Sequence, residues 1–269
     1  MTNLAVSVAI CLSACAQSKA HIVDEGSLQA NPPGDLSIDY CLESTTDFCG
    51  RLVQDAHESL IALAHQSDHF SVASSGGDAR IALIAAAEIR AAGVNIHLER
   101  ICASGCVEVI APAARNIRLV MRPVLAVHGN PQLKRLIEQR GGVSAPRCQR
   151  AYRYLFDRYL GDRISSDMLD MQFDRLGVTE IVVRPRADGA CPDLEYQTEA
   201  DYILLTSDEL EYYYGVPVEG QSAIDGDADI QGIVDRWFDR GLRVWARDAI
   251  YVSGDTDASK IDQEEGGSP

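Results

Sequence analysis

The sequence predicts an α/β domain, and three features of residues 71–131 carry that expectation. A glycine pair, Gly76-Gly77, stands between a short apolar segment and an Ala- and Ile-rich one. A small-residue turn, Cys102-Ala103-Ser104-Gly105-Cys106, falls where a strand should meet a helix. An apolar run, Val124–Val127, then delivers His128 at a strand's end. Strand-like and helix-like segments alternate throughout, the rhythm of helices packed on a sheet.

Taken in order, residues 1–15 form a short uncharged apolar stretch that ends Leu12-Ser13-Ala14-Cys15. Those four residues resemble the lipobox of bacterial lipoproteins, in which the cysteine is lipidated, although no Lys or Arg precedes the apolar run. The run is too short to span a bilayer, and its plainer reading is a buried strand or a loose end. The expectation is export to the periplasm and a lipid anchor at Cys15, with the outer membrane favoured because no Asp follows at Ala16-Gln17. Residues 16–35, which include Asn31-Pro32-Pro33-Gly34-Asp35, read as a linker. The domain itself is expected over 36–217, an extension over 218–252, and a disordered acidic Gly/Ser-rich tail over 253–269.

Within the domain, Leu36–Tyr40 alternates like a first strand. Residues Arg51–His65 place Leu52, Val53, Ala56, Leu60, Leu63 and Ala64 at helical spacing. His65-Gln66-Ser67-Asp68-His69 nearly spells a zincin motif, but Gln66 stands where the general base belongs, so a solvated helix end is expected. Phe70–Ala73 is a strand, Ala79–Ala92 a buried helix stopped by Gly93, and Val94–Leu98 the strand leading to Ser104, with His97 structural. Ile117–Met121 and Val124–Val127 form a strand or strand pair. Helical periodicity covers Pro131–Arg140, Cys148–Leu160 and Ile164–Leu176, where Tyr152, Tyr154, Phe156 and Tyr159 read as core. Val178–Val183 is a strand, and Asp201–Leu205 leads into a helix from Ser207 with Asp208 and Glu209 in its first turn. Asp225–Asp229 imitates the start of an EF-hand loop but puts Arg236 where the bidentate Glu belongs, so no metal is expected. A helix over Ile233–Leu242 and a strand over Arg243–Val252 close the ordered chain.

The 269 residues are 46% hydrophobic, enough for a substantial core, and carry a formal charge of −16. That balance excludes nucleic-acid partners and electrostatic docking on anionic lipid, since nothing would neutralise phosphates. Setting aside Cys11 and Cys15 leaves six cysteines, an even number that suits disulfides in an exported chain. Cys41 with Cys49 is the most local pairing. Cys102 with Cys106 would staple the Ser104 turn, leaving Cys148 with Cys191. Zinc at Cys102 and Cys106 is the alternative, but no second ligand pair occurs downstream at a suitable spacing.

Each feature of the 71–131 stretch has a plainer reading when taken alone: a turn, a helix N-cap, a structural histidine. Together they supply the parts of nucleophilic acyl transfer. Ser104 could attack, His128 could take its proton, and backbone N–H groups of Gly76, Gly77 or Gly105 could hold the developing oxyanion. An N–H that must face a substrate closely favours a residue without a Cβ. The chain order Ser, His, acid departs from those of the α/β-hydrolase, chymotrypsin and subtilisin folds.

On Ser75-Gly76-Gly77, the Cys102–Cys106 turn, His128 at a spacing of 24, and the helix of Leu205–Val216, residues 35–217 resemble the Clp-protease-like branch of the ClpP/crotonase superfamily, in particular its periplasmic members. The resemblance implies a spiral of repeated β-β-α units, a serine peptidase site without cofactor, a peptide or protein substrate, and homo-oligomerisation. Gly105 replaces the usual Ala. The acid is expected at Asp201, or else at Glu199, just before the Ser207 helix. Two other function classes stand beside the hydrolase: a non-catalytic binding or scaffold protein of the same fold, and a crotonase-type acyl-CoA enzyme, which suits neither export nor a Ser–His pair.

Overall fold

The computed structural model describes residue 41 and residues 46–129, 158–184 and 193–254. The expected strand at Leu36–Tyr40, the helices at Pro131–Arg140 and at most of Cys148–Leu160, Cys148, Cys191 and the acidic tail from residue 255 onward lie outside the described residues. The fold is mixed α/β.

Its centre is a run of three long strands, β2 (His69–Ser74), β3 (Asn95–Ala103) and β4 (Ile117–Val127), all parallel. The short β1 (Phe48–Cys49) continues the parallel order beside β2. Beyond β4 the direction reverses. The strand β7 (Tyr202–Leu204) pairs with β4 antiparallel, β9 (Arg243–Ala246) runs parallel to β7, and β10 (Ala249–Val252) folds back on β9. The two-residue β8 (Val218–Glu219) pairs with the start of β4. A separate hairpin joins β5 (Thr179–Arg184) to β6 (Asp193–Gln197). The segment 218–252, expected as an extension, therefore contributes three strands to the main sheet.

Alternation along the strands sends apolar side chains to both faces, and each face has its own core. Leu98, Cys102, Leu125 and Val127 pack with Leu60, Leu83, Ile89 and Ile110 on one side. Ile101, Ala103, Val124 and Ala126 pack with Tyr202, Val234 and Phe238 on the other. The first face is covered by α1 (Ala56–Gln66), α2 (Ala79–Ala92), a π-helical turn over Cys106–Ile110 that runs on into α3 (Ala111–Ala113), α4 (Ser166–Arg175) and α5 (Ser207–Tyr214). The second is covered by α6 (Ile230–Trp237).

Several boundaries are set by local chemistry. The α2 helix starts where Asp78 accepts the Arg80 N–H and stops at Gly93, whose φ of 66° is cheap only for glycine. Thr206 and Glu209 close a reciprocal capping box on α5. Asp229 caps α6 and Asp225 accepts from Ser207 and Ser222, so two of the three acids of the EF-hand-like stretch are engaged within the fold. Among the described residues no cluster of three metal-ligating side chains occurs, and no helix is long and apolar enough to cross a membrane.

Two expectations shift, and one open alternative is settled. The helix expected from Arg51 begins only at Ala56, because Leu52 is drawn into a parallel bridge with Gly77. Leu52 N–H donates to Gly76 O and Leu52 O accepts from Asp78 N–H, both at 2.8 Å, and its side chain is fully buried. Of the strand or strand pair expected there, residues 117–127 form one strand, with the irregularity absorbed by positive φ at Met121 and Arg122 opposite Arg100 of β3. The expected strand at Arg243–Val252 is a hairpin turning at Arg247-Asp248, both at positive φ. His65 closes α1 beside Glu88, while His69 opens β2 and stacks on His97.

The α2 cap gives a direct test. The Arg80 side chain hydrogen-bonded to Asp78 holds its carboxyl below the ordinary Asp range. That contribution is present above the unfolded-state value and is lost as pH falls through the lowered native one. Asp78→Ala is expected to lower urea-unfolding stability by about 1 kcal/mol at neutral pH. The gap between variant and native protein should narrow as pH falls through that lowered native value.

Candidate functional site

Three parallel strands stop side by side, and the segments leaving them converge. Outside the carboxyl ends of such strands is where α/β sheets hold ligands. After β2 comes Gly76-Gly77, after β3 comes Ser104, and after β4 comes His128. The last β3–β4 register pair is Ala103 with Ala126, so Ser104 and His128 stand just past adjacent strand ends. Their side chains meet: Ser104 Oγ lies 2.6 Å from His128 Nε2. With the ring proton on Nδ1, Nε2 accepts the hydroxyl proton, the geometry that proton transfer requires.

Ser104 sits on a sharp turn. Its φ is 52°, a left-handed conformation costing a non-glycine residue roughly 1–2 kcal/mol. The surrounding structure fixes it there. Its N–H donates to Ala126 O and its carbonyl accepts from Glu108 N–H, both at 2.8 Å. A disulfide joins Cys102 to Cys106 across the turn, and a second one joins Cys41 to Cys49. The π-helical turn over Cys106–Ile110 then starts immediately.

The glycines divide their work. Gly76 donates its N–H to Ser74 Oγ at 3.1 Å, so its contribution to the site is space. A Cβ there would lie 2.5 Å from Ser104 Cβ and 2.6 Å from Ala103 O. A Cβ on Gly77, at φ 147°, would lie 2.5 Å from Leu52 O. Among the described residues the N–H groups of Gly77 and Gly105 donate no backbone hydrogen bond.

His128 is walled by Tyr202, whose ring meets the imidazole in a T-shaped contact with centroids 5.5 Å apart. Tyr202 rests in turn on Phe238, and burial pushes its phenol well up. Tyr202 takes this place because β7 runs antiparallel to β4, pairing Leu204 with Ala126 and Ile203 with Val127. Asp201, one residue further, turns to β9: its carboxylate accepts from Arg243 N–H at 2.8 Å and from the Arg243 guanidinium. Glu199 is exposed and lies over Gly177. Neither hydrogen-bonds His128 among the described residues. Cys15 lies outside them.

A carboxylate tied to the segment that carries His128 is one that the sequence patterns do not single out. Glu108, on the π-helical turn, is only 4% exposed. Its Oε1 accepts from Gly129 N–H at 3.0 Å and from Gln172 Nε2 at 3.3 Å. Burial pushes its carboxyl up, opposed chiefly by His128. Its one signal in the sequence is a single charge inside the otherwise apolar run Cys106–Ala114.

Two substitutions separate room from rigidity. Gly76→Ala is expected to displace Ser104 and cost more than about 2 kcal/mol, from the clash together with an unfavourable φ. Gly105→Ala, whose Cβ would meet the movable Leu52 Cδ1 at 3.2 Å, should stay within about 1 kcal/mol of native in the same urea titration. Replacing Cys102 and Cys106 together by Ala is expected to lower stability by about 2 kcal/mol, the loop-closure value for so short a ring.

No family model matches the chain, and no curated protein matches it. Among solved structures, the catalytic domain of the ClpP protease from Plasmodium falciparum is similar over 66% of this chain and 85% of its own, at 10% identity and a TM-score of 0.35. A likeness that distant carries no argument about activity, which rests on the site's own geometry.

Proposed function

We propose that this protein is a serine hydrolase that cleaves peptide bonds by acyl transfer through Ser104 and His128. The observation that supports the reading best is the 2.6 Å contact between Ser104 Oγ and His128 Nε2 at a strained turn beyond the strand ends. In the reaction, Ser104 Oγ attacks the substrate carbonyl carbon as its proton passes to His128 Nε2. The oxyanion is received by the N–H groups of Gly77 and Gly105. Collapse expels the amine, which takes the proton from His128, and water reverses the sequence to free the acid and Ser104. The choice of peptide over ester or thioester comes from the sequence resemblance to Clp-protease-like proteins. The spiral of β-β-α units, export to the periplasm, the lipid anchor at Cys15 and homo-oligomerisation belong to the same proposal. The engaged state of Asp201 favours a second reading, a binding or scaffold protein that keeps the fold without turnover.

Incubating the protein with a fluorophosphonate and mapping the adduct by mass spectrometry distinguishes the two. The hydrolase reading expects a label on Ser104, none with Ser104→Ala, and a rate at least about a hundredfold lower with His128→Ala. A folded, oxidised sample that takes no label on Ser104 refutes it. The anchor has its own test: incorporation of a fatty-acid analogue in cells, expected to vanish with Cys15→Ala.

A further inference from the structure

A carboxyl as deeply buried as Glu108 persists only where something holds it, since an unpaired buried charge is costly. The Gly129 amide and the Gln172 side chain, both neutral, donate to it. Three titratable groups interact with it electrostatically: His128, Tyr202 and Tyr214. The two phenols are pushed up and stay neutral, so His128 is the member of this set that can answer a negative charge with a positive one. The backbone links the same residues. Glu108 N–H is bound to Ser104 O, and Glu108 Oε1 holds the amide of the residue next after His128. Glu108 thus ties the turn that carries the hydroxyl to the strand end that carries the imidazole.

We propose that Glu108 is the acidic partner of the Ser104–His128 pair, a positioning residue that fixes the imidazole through the Gly129 amide and stabilises its protonated form through space. For its catalytic consequence the proposal rests on the hydrolase reading; the coupling between Glu108 and His128 does not. When His128 takes the Ser104 proton it becomes an imidazolium at the rim of a nearly dry core. A carboxylate there acts at low effective dielectric, where Coulomb attraction is weakly screened. Asp201 is poorly suited to the task, because the Arg243 guanidinium already offsets its charge. The pH response has a definite sign. The ionised carboxylate supports the imidazolium, so support is lost as pH falls through the raised native value of Glu108.

The test compares native protein with Glu108→Gln, which keeps an acceptor for the Gly129 N–H and removes the charge, and with Glu108→Leu, which removes both. The first readout is the pH midpoint at which the His128 ring signals move in NMR spectra of the full chain. The expected result is a lower midpoint in Glu108→Gln than in native protein. The second is the rate of fluorophosphonate labelling at neutral pH, expected to fall about tenfold in Glu108→Gln and further in Glu108→Leu. An unchanged midpoint in Glu108→Gln overturns the proposal whether or not any variant labels. Native protein that takes no label while the midpoint shifts instead sinks the hydrolase reading and leaves the coupling standing. If Glu108→Leu does not fold, Glu108→Gln alone decides.

Discussion

The register between β3 and β4 is the constraint on which the site depends. Parallel strands cannot be joined by a tight turn, so the chain leaves β3 at Ala103, crosses through the π-helical turn and α3, and returns along β4. The 24-residue interval between Ser104 and His128 is the length of that circuit. Because side chains of both strands are buried on both faces, a slip of one residue would exchange the two cores as well as part the serine from the histidine. Packing over the whole sheet therefore sets a distance of a few ångströms at its end.

Crowding at the strand ends explains the composition there. Ala103, Gly76 and Gly105 are small because a turn, a strand end and a helix start share one place, and Gly76 would collide with Ser104 if it carried a Cβ. Glycines are conformationally free in the unfolded chain, so ordering their backbone costs more than ordering that of other residues. The Cys102–Cys106 bond offsets part of that cost by limiting the freedom of the same five-residue turn before it folds. Leu52 adds a strand-like clamp from outside, bonding to both sides of the glycine pair.

Much of this is legible in the sequence. The α2 helix can be read to its ends because the Gly76-Gly77 pair precedes it and Gly93 stops it, and the strand preceding His128 because apolar runs bounded by turns are distinctive. Leu52 reads as helical because its apolar spacing fits helical periodicity, whereas its real partner, Gly77, is distant in sequence. The neighbours of His128 are harder still. Asp201 and Tyr202 are adjacent in the chain, and which of them faces the imidazole depends on the β4–β7 register, which no local pattern encodes. Glu108 is hidden for a related reason. A lone acid in an apolar turn declares that it is buried but not what holds it, and its partners Gly129 and Gln172 come from two other segments.

The margins of the main sheet also bear on how copies of the chain could associate. Among the described residues, one lateral margin is β1, two residues long and tethered by the Cys41–Cys49 bond, and the other is β10, four residues long. Edges this short offer few unpaired backbone groups to a neighbouring chain, which limits strand-to-strand addition and the aggregation it seeds. Among the described residues, the main sheet therefore presents little edge on which a second copy could add a strand.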